Sequence, residues 1–133
     1  MRHCHKSLLA AGWPGLMQDG AERTFSFYDR GRTPLWACRQ DPRFSWCAYV
    51  PDGYETQRSA DFRLLVAVHG TLRAVTLYRD AFAAFAERHR LIVLAPLFPG
   101  AITSPADLSS YKLLRAGTLH YDRVLLSMVD EVG

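Results

Sequence analysis

The sequence predicts an α/β fold on three observations. Leu64-Leu65-Val66-Ala67-Val68 and Leu91-Ile92-Val93-Leu94-Ala95 are apolar at every position, the pattern of strands buried on both faces of a largely parallel sheet. Between them Val75, Tyr78, Phe82, Phe85 and Ala86 recur at intervals of three and four, which predicts an amphipathic helix ending near His89. Beyond them Tyr121, Val124, Leu125, Met128, Val129 and Val132 follow the same period, so a second helix is expected from about Leu119 to Val132 with Gly133 at its C-terminal cap.

A strand, a helix and a strand of this length make a βαβ crossover, right-handed in nearly all cases. The first all-apolar run is expected to lie centrally in the sheet, and the second to be stopped by Pro96. Ahead of this unit, Thr24-Phe25-Ser26-Phe27-Tyr28 alternates as a half-buried strand and turns at Asp29-Arg30-Gly31. Phe44 to Val50 reads as another strand, closed by the turn Pro51-Asp52-Gly53. These two are expected to pair as an antiparallel edge, joined through an irregular stretch marked by Pro34 and Pro42. Pro96 to Thr118 reads mostly as loop, with a short helix over Leu108 to Leu114. Residues 1–22 show no period and read as a poorly ordered leader, leaving 23–133 as the folded domain. The last helix asks for one more parallel strand, because αβ loops are short, usually ~2–6 residues. The sheet is therefore expected to be incomplete within these residues.

Composition narrows the function classes. The chain has 133 residues, 49% hydrophobic and 22% charged, with 16 basic against 13 acidic residues. Those proportions are ordinary for a globular domain. The charge of +3 is spread without a basic run, which argues against nucleic-acid binding. Cys4, Cys38 and Cys47 are an odd number without C-x-x-C spacing, so neither a disulfide framework nor a zinc knuckle is expected. His3-Cys4-His5 could hold a metal, but a site needs three or four ligands and no partner cluster accompanies it, so a solvated tail is expected and no metal or cofactor. The Leu8-Leu9-Ala10-Ala11 patch is broken too early for a signal core, and no stretch approaches the ~18 apolar residues of a membrane span. The expectation is a cytoplasmic protein without membrane contact.

In open α/β sheets ligands collect outside the carboxyl ends of the parallel strands, here after Val68 and after Ala95. The first loop is His69-Gly70-Thr71-Leu72-Arg73. Gly70 is expected to let the backbone turn sharply, leaving the N–H groups of Thr71 and Leu72 free to meet a developing oxyanion. An ordinary βα turn in which the glycine serves only geometry is the plain alternative. In the second loop Leu97 and Phe98 could line an acyl pocket or simply pack. Phe25, Phe27, Phe82 and Phe85 are expected in the core. His89 and His120 are expected at helix ends, and Asp80 with Arg73 or Arg79, and Glu87 with Arg90, as exposed ion pairs.

A strand ending in His69-Gly70, an amphipathic helix and a strand ending in Ala95-Pro96-Leu97-Phe98-Pro99, with Tyr49-Val50-Pro51 before and Tyr121-Asp122 after, resembles the N-terminal portion of an α/β-hydrolase of the esterase or polyhydroxyalkanoate-depolymerase-like type. The likeness runs from about Phe25 to Val132. It implies that Gly70, Thr71 and Leu72 form the oxyanion-hole loop and that His69 braces it, with Arg73 expected as a further support of that loop. His69 would not be the base, which in this family comes late in the chain. The family's nucleophile sits on Gly-x-Ser-x-Gly, and none of the serines has glycines at both offsets. The resemblance thus implies a fragment of a serine hydrolase for a small-molecule ester, inactive alone, with self-association through an open sheet edge as a hazard. A non-catalytic α/β binding or interaction module is the second reading. A nucleotide-binding domain is a third, weakened because the loop has one glycine and no Gly-Lys-Ser or Gly-Lys-Thr follows.

Overall fold

The computed structural model describes residues 30–54 and 56–133. The expected leader, the His3-Cys4-His5 triplet and the strand over Thr24 to Tyr28 lie outside the described residues. Within them the chain runs β1 (Gly31–Arg32), β2 (Trp36–Ala37), β3 (Ser45–Val50), β4 (Arg63–Val66), α1 (Val75–Ala81), α2 (Ala83–His89), β5 (Leu91–Leu97), β6 (Arg115–Ala116), β7 (Leu119–His120) and α3 (Tyr121–Val132). This is the mixed α/β class expected from the sequence. The main sheet has the order β1-β3-β5-β4, with β2 also paired to β3. β3 runs antiparallel to β5 with Tyr49 opposite Val93, while β4 runs parallel to β5 with Leu64 opposite Ile92.

Alternation along β3 and β5 sends side chains to two separate cores. Trp46, Ala48, Val50, Ile92 and Leu94 meet Tyr121, Val124, Met128 and Val132 of α3 on one face. Tyr49, Val93 and Ala86 of α2 pack on the other, and Cys47, Ala95 and Val75 of α1 extend that layer. Helices therefore cover both faces, as an all-apolar strand requires. Ile92, Val93 and Leu94 are all essentially buried, and each such side chain contributes about 1.5–3 kcal/mol.

Several expectations are corrected. β5, not β4, is the central strand: among the described residues β4 has one neighbour, and Leu64, Leu65 and Val66 are only half-buried. Pro96 does not stop β5, which continues to Leu97 opposite Ser45. The last parallel pair is Val66 with Leu94, so Pro96 sits where β5 has one neighbour and a missing N–H is tolerated. The helix after β4 is two helices. At Phe82 the amide bonds back to Arg79 O, the tighter i−3 pattern, and the rotation leaves Phe82 and Phe85 exposed, contrary to their expected core role, while Arg79 is buried. The short helix expected over Leu108 to Leu114 shrinks to a 3-10 turn, Ser110–Leu113. The short strands β1 and β2 were not expected; two-residue pairings carry no periodicity to read. The Pro51 turn is present, with Tyr54 N on Pro51 O at 3.0 Å.

Candidate functional site

β4 and β5 end side by side, which brings the loops after them together. Arg73 N donates to Gly70 O at 3.0 Å and closes a β-turn over Gly70, Thr71, Leu72 and Arg73. Such a turn engages only its outer residues. The amides of Thr71 and Leu72 accordingly have no partner among the described residues, and both residues are exposed. Leu72 is 93% exposed.

Gly70 does not serve the turn in the way expected. Its φ is not positive; the left-handed residue of the turn is Arg73, at φ 53°. A Cβ on Gly70 would lie 3.1 Å from the Tyr78 hydroxyl, tighter than ordinary van der Waals contact. The glycine makes room for α1 to approach.

His69 is 3% exposed and is held through both ring nitrogens. Phe98 N–H donates to Nε2 at 2.9 Å, so the proton resides on Nδ1, which donates to Gly70 O at 2.8 Å. This neutral tautomer stitches the turn after β4 to the end of β5. Burial pushes the His69 pKa down, the Arg73 charge acts in the same direction, and the hydrogen bond to Gly70 opposes them. Tyr111, buried on the 3-10 turn, adds a bond from its hydroxyl to His69 O at 3.3 Å. Its ring stacks on Phe98 with centroids 5.7 Å apart.

Arg73 performs a second stitch. Nε donates to Phe98 O at 2.9 Å and Nη1 to Thr71 O at 2.9 Å, while Nη2 bonds Leu108 O. Three carbonyls from three segments thus converge on one guanidinium. Lys112 closes the far side, its Nζ 2.9 Å from Thr71 Oγ1. Asp107 organises the overlying loop by accepting from Thr103, Ser109 and Ser110. Those bonds, Ser110 foremost and then Thr103, pull its pKa down to about 2.

The structure therefore brings His69, Gly70, Thr71, Leu72 and Arg73 together with Leu97 and Phe98. The two pocket candidates differ. Phe98 is 3% exposed, with its ring edge-on to Phe44 and Tyr121, so its side chain is a wall of the core and its backbone serves the site. Leu97 is half-buried beside Cys47, Val75 and Ala95. Tyr111 and Lys112 were not singled out from the sequence, and Tyr78 is read there only as part of a helical stripe. Lys112 is separated from Thr71 by 41 positions, and the loop between carries no periodicity that would align them.

Other polar candidates resolve as structure. Asp80 pairs with Arg79 at 2.7 Å and Arg32 at 2.9 Å, not with Arg73. Glu87 accepts from Tyr49 OH at 2.7 Å and Asp52 N at 2.9 Å in place of the expected pair with Arg90, and that carboxylate raises the Tyr49 pKa to about 12. His89 ends α2 and His120 caps α3, 3.8 Å from Asp122. Cys38 and Cys47 are free thiols. Among the described residues no three His, Cys, Asp or Glu side chains gather as a metal site, and no helix is long and apolar enough to cross a membrane.

No family profile and no curated protein matches the chain. Among solved structures it is similar to LpqC, a poly(3-hydroxybutyrate) depolymerase from Bordetella parapertussis. The identity is 26% and the TM-score 0.47, over 67% of this chain and 33% of that one. The chain thus spans about a third of that structure.

Proposed function

We propose that this chain is the oxyanion-binding part of a serine hydrolase acting on ester bonds, the turn Gly70–Arg73 receiving the carbonyl oxygen. The observation that carries the reading is the pair of open amides at Thr71 and Leu72, on a turn fixed by His69 and Arg73 at the carboxyl end of β4. Attack on an ester carbonyl turns its oxygen into an anion, and donors already aimed at that position need no reorganisation when the charge appears. Losing one such donor costs about 10²–10³ in kcat in hydrolases of this kind. The nucleophile, its base and the acid come from another segment, since no serine among residues 1–133 has the flanking glycines of an elbow. In the full reaction the nucleophile's proton passes to the base and then to the departing alcohol, and water releases the acyl group.

The test is a titration of the ¹⁵N-labelled chain with methyl butyrate, alongside an assay with p-nitrophenyl butyrate. The expected result is that the Thr71 and Leu72 amide signals shift first and furthest while no ester turns over. Shifts confined to other amides would overturn the assignment of the turn. Turnover abolished by replacing a serine within the chain would overturn the division of labour.

A further inference from the structure

Two cations reach the Gly70–Arg73 turn without a carboxylate of their own. Among the described residues neither Arg73 nor Lys112 forms an ion pair. Both are held by the same buried ring: the Arg73 guanidinium carbon and Lys112 Nζ each lie 5.8 Å from the Tyr111 centroid. Tyr111 is itself fixed by His69 O and Phe98. The acid in the covering loop, Asp107, directs its oxygens to Thr103, Ser109 and Ser110. The charge beside the open amides is therefore net positive and is held in place by aromatic packing.

The two cations are not equivalent. Arg73 places Nε, Nη1 and Nη2 on backbone carbonyls, so it contributes field more than a free fork. Among the described residues the Lys112 ammonium bonds the Thr71 hydroxyl and lies over the Tyr111 ring, and an ammonium has three donors on a flexible stem. One cation with donors to spare suits one negative charge. Its distance from the amides is set by Thr71, whose N–H is one of the open donors and whose Oγ1 meets Nζ at 2.9 Å. Nζ therefore lies within roughly 6 Å of that amide, the sum of a side-chain span and one hydrogen bond.

Resting on the reading of the turn given above, we propose that Lys112 selects an ester carrying a carboxylate two to four carbons from the scissile carbonyl. The carbonyl oxygen meets the Thr71 and Leu72 amides, and the carboxylate displaces Thr71 Oγ1 as the partner of Lys112, within the field of Arg73. Lys112 is a specificity-determining residue: it takes no part in bond cleavage and leaves neutral esters unaided. The selected class is the half-ester of a short dicarboxylic acid or the ester of an acid-terminated short chain.

The test compares methyl succinate, which carries one carboxylate, with neutral dimethyl succinate, following the Thr71 and Leu72 amides of the full chain. Methyl succinate is expected to bind about three-fold more tightly at low salt, the scale of an exposed ion pair, with the preference vanishing at 1 M salt as the charges are screened. Lys112→Met removes the preference and Lys112→Arg keeps it, both with an unchanged pattern of remaining amide signals. Equal response to the two esters, or a preference that survives Lys112→Met, overturns the role of Lys112 and leaves the turn standing. If neither ester moves the two amides, the reading of the turn fails and this one fails with it.

Discussion

His69 shows how one buried side chain sets the geometry of a turn it does not itself extend. With Nε2 accepting from Phe98 and Nδ1 donating to Gly70 O, the buried ring is neutral and bonded at both nitrogens. Replacing it by alanine strands the Phe98 amide in a buried position, and an unsatisfied buried donor costs about 1–3 kcal/mol. His69→Ala is therefore expected to lower the unfolding free energy, read from urea unfolding, by that amount. The pH response follows from the lowered pKa. The folded ring resists protonation more than the unfolded one, whose ordinary value is about 6.5. Stability is thus fully present above the unfolded value and falls as pH drops below it towards the folded value. The native chain should lose more stability between pH 7 and pH 5 than His69→Ala, as read from urea midpoints; equal slopes would contradict the buried neutral ring. The position of His69 was legible in the sequence, because a strand ending in His-Gly leads into a helix. The close approach of the Tyr78 hydroxyl to Gly70 was not legible, because it depends on how α1 settles against the sheet.

Elements record where local pattern wins and where packing overrides it. β5 and α3 were readable because each repeats one signal over many residues, continuous burial in the first and 3.6-residue periodicity in the second. The break at Phe82 was not, since the apolar spacing runs through it; the buried Arg79 donating to Thr33 O at 2.7 Å fixes α1 in an orientation the stripe alone would not choose. The end of α2 is set by Arg90, left-handed at φ 53°, a conformation that costs a non-glycine residue about 1–2 kcal/mol. Arg90→Gly should relieve most of this against the entropy of glycine, raising Tm by about 2–4 °C; an unchanged or lower Tm would count against the strained cap. At its other end the fold is tied by Glu131, which accepts from Arg39 N at 2.6 Å and Trp46 Nε1 at 3.0 Å. This joins α3 to the segment between β2 and β3. Glu131→Ala removes an acceptor from the buried Trp46 and is expected to cost about 2 kcal/mol in urea unfolding, with Glu131→Gln losing less.

At the largest scale the described residues form a mixed sheet with helices on both faces, its two parallel strands ending beneath one braced turn. The layers were legible from the alternation of apolar runs and helical stripes. The strand order was not: centrality depends on neighbours, and β4 reads as buried on both faces while only β5 flanks it among the described residues. The covering of the turn by Tyr111, Lys112 and Asp107 was invisible for the same reason, since those contacts are made by an aperiodic loop that returns across the strand ends. The inner amides of the Gly70–Arg73 turn are open and its supports are closed. Amide hydrogen exchange measures both at once. Thr71 and Leu72 should exchange near the rate of an unstructured chain, while Arg73 and Phe98, bonded to Gly70 O and His69 Nε2, are protected; methyl butyrate should slow the first pair alone. Protection of Thr71 and Leu72 in the free chain, or no slowing when the ester is present at saturating concentration, would contradict the claim that this turn receives an acyl oxygen.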